Sequence, residues 1–373
     1  MTQDPAKSSV IRLLSIGLTP GKVRGLQRIS NANGTLTMVA LDQNSSMINM
    51  MRDSFKKTGQ DREPSYEEIV EAKLELTRAL APHASAVLLD AYYGAWNALA
   101  SGCLPRQTGL LVRLEKSGGP KNAVGAPLTE IEPGWSVLKI KNMGADAVKL
   151  LVPFEPEEWD SAEKQLALVQ QVHEECRRLD ILLLLETVSF PYRRNGLVED
   201  KKSATYLARK GRTVIETARL LSRYCDVYKA EFPGTLGHDP EDRLLENLHR
   251  LDEACVRPWV LLSAGVDFPD YRKQVEMALR AGASGVLGGR AFWKEYFTFA
   301  STEDRQRFVR QEATTRVRQI HDLVCERGRP WFSRYGLKAD DFAGMRAVEG
   351  WHFRYGEYRQ SLQHAPPAPG DVY

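Results

Sequence analysis

Between residues 35 and 290 the chain repeats one pattern: a short, apolar, β-rich run, then a longer helical stretch. Eight such runs occur, at 35–43, 85–91, 109–116, 147–152, 181–187, 227–232, 258–264 and 285–290. Near-continuous apolar runs suit strands buried on both faces, as in parallel sheets. Helices are predicted between them at 66–80, 159–179, 205–224, 240–254 and 271–281. Ser65 followed by Glu68 reads as a capping box, and Gly144 and Gly282 stand where a helix should stop before a strand. Eightfold strand–helix alternation predicts an α/β fold, a (β/α)8 barrel. An open doubly wound sheet is the alternative, weakened by the lack of a GxGxxG turn after any early strand.

Two extensions flank this unit. Residues 1–30 are expected to hold a helix near 21–29 that closes the barrel bottom, 31–300 the barrel, and 301–373 a C-terminal extension. The extension should start with a long polar helix at 301–324. Its aromatics (Trp331, Phe332, Tyr335, Phe342, Trp351, Phe353, Tyr355 and Tyr358) should pack on the barrel or on a second subunit. The last nine residues carry three prolines and are expected to be disordered.

Charge excludes some functions. Lys and Arg number 51 against 48 Asp and Glu, a net of +3, which offers no dedicated nucleic-acid surface. No apolar run approaches the ~20 residues of a membrane helix, and residues 1–20 lack a secretory pattern. Five scattered cysteines without a CxxC pair suggest neither a zinc knuckle nor a disulfide framework, so a cytoplasmic location is expected. None of the seven histidines forms an HxH or HxxxH pair, so no metal or other cofactor is expected.

Catalytic groups of such barrels sit at the C-terminal ends of strands. There the chain has Asp42 and Gln43, Asp90, Glu115, Glu186, Ser263 and Arg290, with Lys149, Lys229 and Glu231 inside strands. Strand alternation puts Lys229, Val227 and Glu231 on one face and Lys149 on the matching face two strands earlier. Lys149 and Lys229 should therefore approach each other, with Glu186 between them. A lysine in an apolar strand beside another cation has its pKa lowered, and its free amine can attack a carbonyl to form a Schiff base. Glu186 and Asp42 are candidates for the proton transfers. A single strand-end lysine more often snorkels to solvent; two lysines and a glutamate at matching depth argue for chemistry. Asp90 and Glu115 read better as hydrogen-bonded strand-end carboxylates. The glycine-rich segments 263–267 and 285–293 sit where this barrel class binds phosphate, and Arg290 adds a permanent positive charge.

The segments ALDQ (40–43), LLDAYYG (88–94), GADAVKLL (144–151), LLLLE (182–186), DVYKAEFP (226–233), LLSAGV (261–266) and GVLGGRAFW (285–293) together resemble the tagatose 1,6-bisphosphate aldolase family, which includes the sulfofructose 1-phosphate aldolases. The resemblance runs from about residue 26 to about 337. It implies a metal-independent class I aldolase on a (β/α)8 barrel, cleaving a ketose phosphate or bisphosphate to dihydroxyacetone phosphate and an aldehyde. By position it makes Lys229 the Schiff-base lysine, Lys149 its partner and Glu186 the proton carrier. Asp42 and Gln43 would contact substrate hydroxyls, and Ser263, Gly265, Gly289 and Arg290 the phosphate. Asn44 and Thr187 replace residues common in the family and are expected near the mouth of the site. A transaldolase-type Schiff-base enzyme and a non-catalytic sugar-phosphate-binding regulator are the alternatives. The expected partner is a small-molecule sugar phosphate, with no nucleic acid or membrane, and the chain is expected to form a homo-oligomer.

Overall fold

A computed structural model of the chain describes residues 10–194, 196–343 and 345–355. Its strands are β1 (Leu36–Ala40), β2 (Ala86–Leu89), β3 (Gly109–Arg113), β4 (Ala147–Pro153), β5 (Leu182–Val188), β6 (Arg193–Arg194), β7 (Leu197–Val198), β8 (Val227–Ala230), β9 (Trp259–Leu262) and β10 (Gly285–Gly288). Eight of them form a closed parallel barrel in the order β1-β2-β3-β4-β5-β8-β9-β10. Closure by β1 against β10 excludes the open sheet. The remaining two, β6 and β7, make a small antiparallel hairpin after β5 that the sequence pattern does not announce.

Strand pairing sets the tilt. Following paired residues from Met38 once round the barrel returns to the level of position 30, a shear of eight residues. Each strand is thus offset by one residue from the next. Leu151 pairs with Glu186, which pairs with Lys229. The two-residue offset from β4 to β8 then brings Lys149, not Leu151, to the height of Lys229.

Alternation sorts the strands into two cores. Met38, Ala40, Leu88, Leu111, Ala147, Leu184, Val227, Val260 and Leu287 fill the barrel interior. Val39, Val87, Val112, Val148, Leu185, Tyr228, Leu261 and Val286 face outward under the helices. Helix Pro20–Ile29 lays Leu26 and Ile29 beneath the interior, and Trp331 and Leu337 of the C-terminal extension join them. Among the described residues the N-terminal end of the interior is therefore closed by apolar side chains, and the polar groups of the interior gather at the C-terminal end.

The long amphipathic helices form close to their predicted positions: Tyr66–Leu80, Trp159–Arg178, Ala204–Leu221, Glu241–Ala254 and Phe268–Ala281. Ser65 and Glu68 make the capping box, and Gly282 ends its helix in the left-handed region at φ 114°. Helices Ala95–Ala100 and Val137–Asn142 are too short to show a period. Ser45–Lys57 has no acidic first turn and no side-chain cap, and was likewise silent in the sequence. The predicted polar helix at 301–324 is interrupted: a π turn, Val309–Ala313, separates Thr302–Phe308 from Thr314–Arg327. Its inner face is apolar, with Phe308, Val317, Ile320 and Val324 buried. Trp331, Phe332 and Phe342 meet edge to face under the barrel, whereas Phe353 is exposed. Tyr358 and the last nine residues lie outside the described residues. No helix among the described residues is long and apolar enough to cross a membrane.

Candidate active site

At the C-terminal end of the barrel lies a cavity of about 390 Å³. Lys229 from β8 and Lys149 from β4 are buried at its floor. Glu186 of β5 stands between them: its Oε2 is 3.0 Å from Lys229 Nζ and 3.1 Å from Lys149 Nζ. Lys149 also reaches Asp42 Oδ2 at 3.0 Å and Glu115 Oε1 at 2.5 Å. Arg113 donates to the Asp42 carbonyl and lies 4.0 Å from Glu132. Around this floor three carboxylates (Asp42, Glu115, Glu186) meet three cations (Lys149, Lys229, Arg113), so the charges can balance inside a closed barrel.

The electrostatics follow from that arrangement. Burial pushes the Asp42 carboxyl up, but the charges of Lys149, Lys229 and Arg113 outweigh it and hold it well below the carboxylate range. Burial likewise opposes ionisation of Glu186, and Lys149 and Lys229 again win, so its pKa is lowered. At Glu115 burial prevails over Lys149 and Arg113 and the pKa is raised. Burial disfavours the Lys149 ammonium, yet Asp42, Glu115 and Glu186 raise its pKa above the ordinary value. Lys149 was expected to act on Lys229 as a bare neighbouring cation. It is also clamped by three carboxylates, Asp42, Glu115 and Glu186. Its evident effect is to keep Asp42 and Glu186 ionised.

The first strand's loop is held from behind. Lys73, fully buried, donates to Leu41 O (2.7 Å), Gln43 O (3.2 Å), Asn44 Oδ1 (3.0 Å) and Asp90 Oδ1 (2.5 Å). Asp90 also accepts from the amides of Tyr92 and Tyr93. This clamp fixes the backbone that presents Asp42 and Gln43. Lys73 was missed in the sequence, although it falls on the apolar stripe of its helix with Ile69, Leu76 and Leu80, where a lysine has no ordinary reason to be. Glu115, expected as a structural strand-end carboxylate, lines the cavity and binds Lys149, on the same strand face as Leu111 and Arg113. Thr187 was expected at the mouth. Its hydroxyl instead meets Tyr228 OH at 2.5 Å on the outer face of the barrel, the side its strand parity dictates. Asn44 lines the cavity, but its amide is engaged with Lys73 and Asp90.

The opposite wall comes from the loops after β9 and β10. Ser263 Oγ accepts from the Gly289 amide at 3.2 Å. Ala264 has φ 48°, a left-handed conformation that costs a residue with a side chain some strain. Gly265 follows at φ 77°, and a Cβ there would stand 3.0 Å from Arg290 Cζ. A Cβ on Gly289 would stand 2.9 Å from Gln43 Nε2, so glycine is what lets the Gln43 amide approach. Gln43 Oε1 is buried without a partner. Arg290 is half-buried and pairs with no carboxylate among the described residues. On the outer side the cavity is lined by Ser45, Ser46, Ser117, Lys116, Lys201 and Glu231. Glu231 Oε2 accepts from Ser189 N (2.9 Å) and Oγ (2.7 Å). A larger groove of about 910 Å³, between helices Ala204–Leu221 and Glu241–Ala254, carries no lysine, cysteine or histidine and lacks a nucleophile of this kind. No group of three His, Cys, Asp or Glu among the described residues is arranged to hold a metal ion.

A closed (β/α)8 barrel with a buried amine–carboxylate pair at its C-terminal end defines a barrel enzyme. The model of the DeoC/LacD family aldolases matches residues 36–295. The chain belongs to that family, and it is accordingly an aldolase, a lyase. It is 29% identical over 347 residues to the tagatose 1,6-diphosphate aldolase of Listeria monocytogenes serotype 4b, covering 87% of this chain and 98% of that protein. It is 30% identical over 319 residues to the Staphylococcus epidermidis enzyme of the same name, covering 81% and 94%. An archaeal fructose 1,6-bisphosphate aldolase shares the fold with a TM-score of 0.51 at 19% identity, over 81% of this chain and 98% of that one. Fructose-bisphosphate aldolase from Plasmodium falciparum shares it with a TM-score of 0.61 at 10% identity, over 82% and 94%.

Proposed function

We propose that the chain is a class I, Schiff-base aldolase that cleaves a ketose 1-phosphate or 1,6-bisphosphate to dihydroxyacetone phosphate and an aldehyde. The observation that carries this reading is the single Glu186 oxygen in contact with both Lys229 and Lys149 at the cavity floor. An amine and a proton carrier in direct contact are what Schiff-base chemistry requires. The names of the relatives, tagatose 1,6-diphosphate aldolases, agree with it.

In this mechanism Lys229 passes a proton to Glu186 and attacks the ketose carbonyl at carbon two. The carbinolamine loses water to give an iminium. A base removes the proton from the carbon-four hydroxyl, the bond between carbons three and four breaks, and its electrons flow into the iminium to form an enamine. The aldehyde leaves, the enamine is protonated at carbon three, and water hydrolyses the adduct. Glu186 is placed to carry these protons, with Lys149 holding it and Asp42 ionised. Asp42 and Gln43 would orient substrate hydroxyls. Ser263, Gly265, Gly289 and Arg290 would seat the phosphate on carbon one through backbone amides and a guanidinium without a competing carboxylate. The hydroxyl-lined outer side, with Lys116 and Lys201, would receive the aldehyde half. A cytosolic setting suits five free thiols.

Turnover with a panel of ketose 1-phosphates and 1,6-bisphosphates, read as release of dihydroxyacetone phosphate, tests the reading. At least one should be cleaved with EDTA present. Cleavage of none, or three-carbon transfer between sugars in place of release, would contradict it.

A further inference from the structure

At the N-terminal end of the barrel, on the side away from Lys229, lies a second cavity of about 630 Å³. It lies where β5, β8 and β9 begin, between the C-terminal end of helix Trp159–Arg178, the segment 14–22 and Tyr355. Its lining has four permanent or lysine cations, Lys22, Arg177, Arg178 and Arg257, against two carboxylates, Asp180 and Asp226, a net of +2 with His173 neutral. That volume is in the range of small-ligand sites.

The two carboxylates are already satisfied. Asp226 Oδ1 holds Lys22 Nζ at 2.7 Å, and its Oδ2 accepts from the Leu183 amide at 2.9 Å. Asp180 accepts from the Gly21 amide at 3.0 Å and from the hydroxyls of Thr19 and Tyr355. Lys22 is thereby paired, and Arg177 pairs with Glu174 at 3.1 Å, whereas Arg178, Arg257 and His173 keep unfilled groups among the described residues. Arg178 has no ion pair or hydrogen bond to any described residue. Arg257 Nε and His173 Nδ1 are both buried without a hydrogen-bond partner among the described residues. A buried polar group in that state is destabilising unless a ligand or water fills it. Arg257 is kept in place by its guanidinium lying 5.4 Å from the Tyr335 ring centroid.

We propose that this cavity binds a compact dianion, a phosphate monoester or inorganic phosphate, seated on Arg178, Arg257 and His173. Guanidinium groups bind phosphate by paired, charge-assisted hydrogen bonds, and the excess positive charge of the lining favours it over a neutral ligand. The site is separate from the catalytic cavity and draws on both chain extensions, through Lys22 and Tyr355.

The test is a titration of the full chain with glycerol 3-phosphate and, separately, with inorganic phosphate, following the imidazole proton resonances of His173 by NMR, assigned with His173→Gln. Saturable shifts of the His173 signals are expected. Saturation by glycerol 3-phosphate alone would mark an ester site, and by both a phosphate site. Arg178→Glu and Arg257→Gln should each weaken the response roughly tenfold or more. Arg178 is exposed, so its replacement leaves the core intact even if Arg257→Gln fails to fold. His173 signals that do not move with either probe, or shifts unaffected by Arg178→Glu, would overturn the proposal.

Discussion

Glu186 Oε2 lies 3.0 Å from Lys229 Nζ, closing an amine–carboxylate pair inside the barrel. The contact follows from register: Glu186 and Lys229 are direct partners on adjacent strands, and inward parity points both into the same cavity. Replacing Glu186 by Gln keeps the shape and removes the proposed proton carrier. Steady-state kcat should fall roughly 10²–10⁴-fold, the contribution of a positioned acid–base group. A fall below about tenfold would move proton transfer to another residue.

Arg290 presents its guanidinium with no carboxylate partner among the described residues. Arg290→Ala should lower kcat/KM for phosphorylated substrates by about 2–4 kcal/mol, as expected for losing a desolvated charge partner. Most of the change should be in KM, because the phosphate is held in ground and transition states alike. An unchanged KM would place the phosphate elsewhere.

The pKa of Glu186 is depressed from its ordinary 4.5, with burial opposed and outweighed by Lys149 and Lys229. A pH–rate profile of kcat/KM should therefore show no ionisation of this base above pH 4.5. The same direction holds for stability. Asp42 and Glu186 are depressed in the folded state, so their stabilisation is present above their unfolded pKa values and is lost as pH falls through the folded ones. Lys149 is raised, so its share is present below 10.5 and is lost only above its folded value. Thermal melts of wild type and an Asp42→Asn variant should differ at pH 7 and converge on acidification below pH 3.8, the unperturbed Asp value. A constant difference down to low pH would contradict the assignment.

Lys73 and Asp90 form a fully buried pair at 2.5 Å. Lys73→Met leaves Asp90 without its cation and should cost about 3–5 kcal/mol of stability. The double variant Lys73→Met, Asp90→Asn should recover part of that loss while KM stays raised, because the 41–44 loop loses its anchor. Equal stability of the single variant and wild type would show that the pair is dispensable.

The barrel was legible because parallel strands buried on both faces leave continuous apolar runs, and the turns between them carry glycine. Lys149, Glu186 and Lys229 could be brought together from strand parity alone, since in a barrel of shear eight the inward face repeats every second residue. Glu115 and Lys73 escaped for different reasons. Glu115 has the inward parity of Leu111 and Arg113, but a lone strand-end carboxylate reads as structural until its partner Lys149 is known. Lys73 acts from a helix on the loop of another element, a contact that only tertiary packing creates. The hairpin of β6 and β7 is too short to have a period, and the π turn at Val309–Ala313 leaves an amphipathic pattern that reads as one helix.

In the proposed mechanism Lys229 forms the covalent bond to substrate. Sodium borohydride added during turnover of a ketose phosphate, or with dihydroxyacetone phosphate, should inactivate the enzyme irreversibly. Peptide mapping by mass spectrometry should place one reduced three-carbon phosphate adduct on Lys229, and Lys229→Ala should show neither the adduct nor cleavage. Lys229→Arg should be equally inactive, since a guanidinium stays protonated. An adduct on Lys149 would reverse the roles of the two lysines. No adduct, with activity abolished by EDTA, would contradict Schiff-base catalysis altogether.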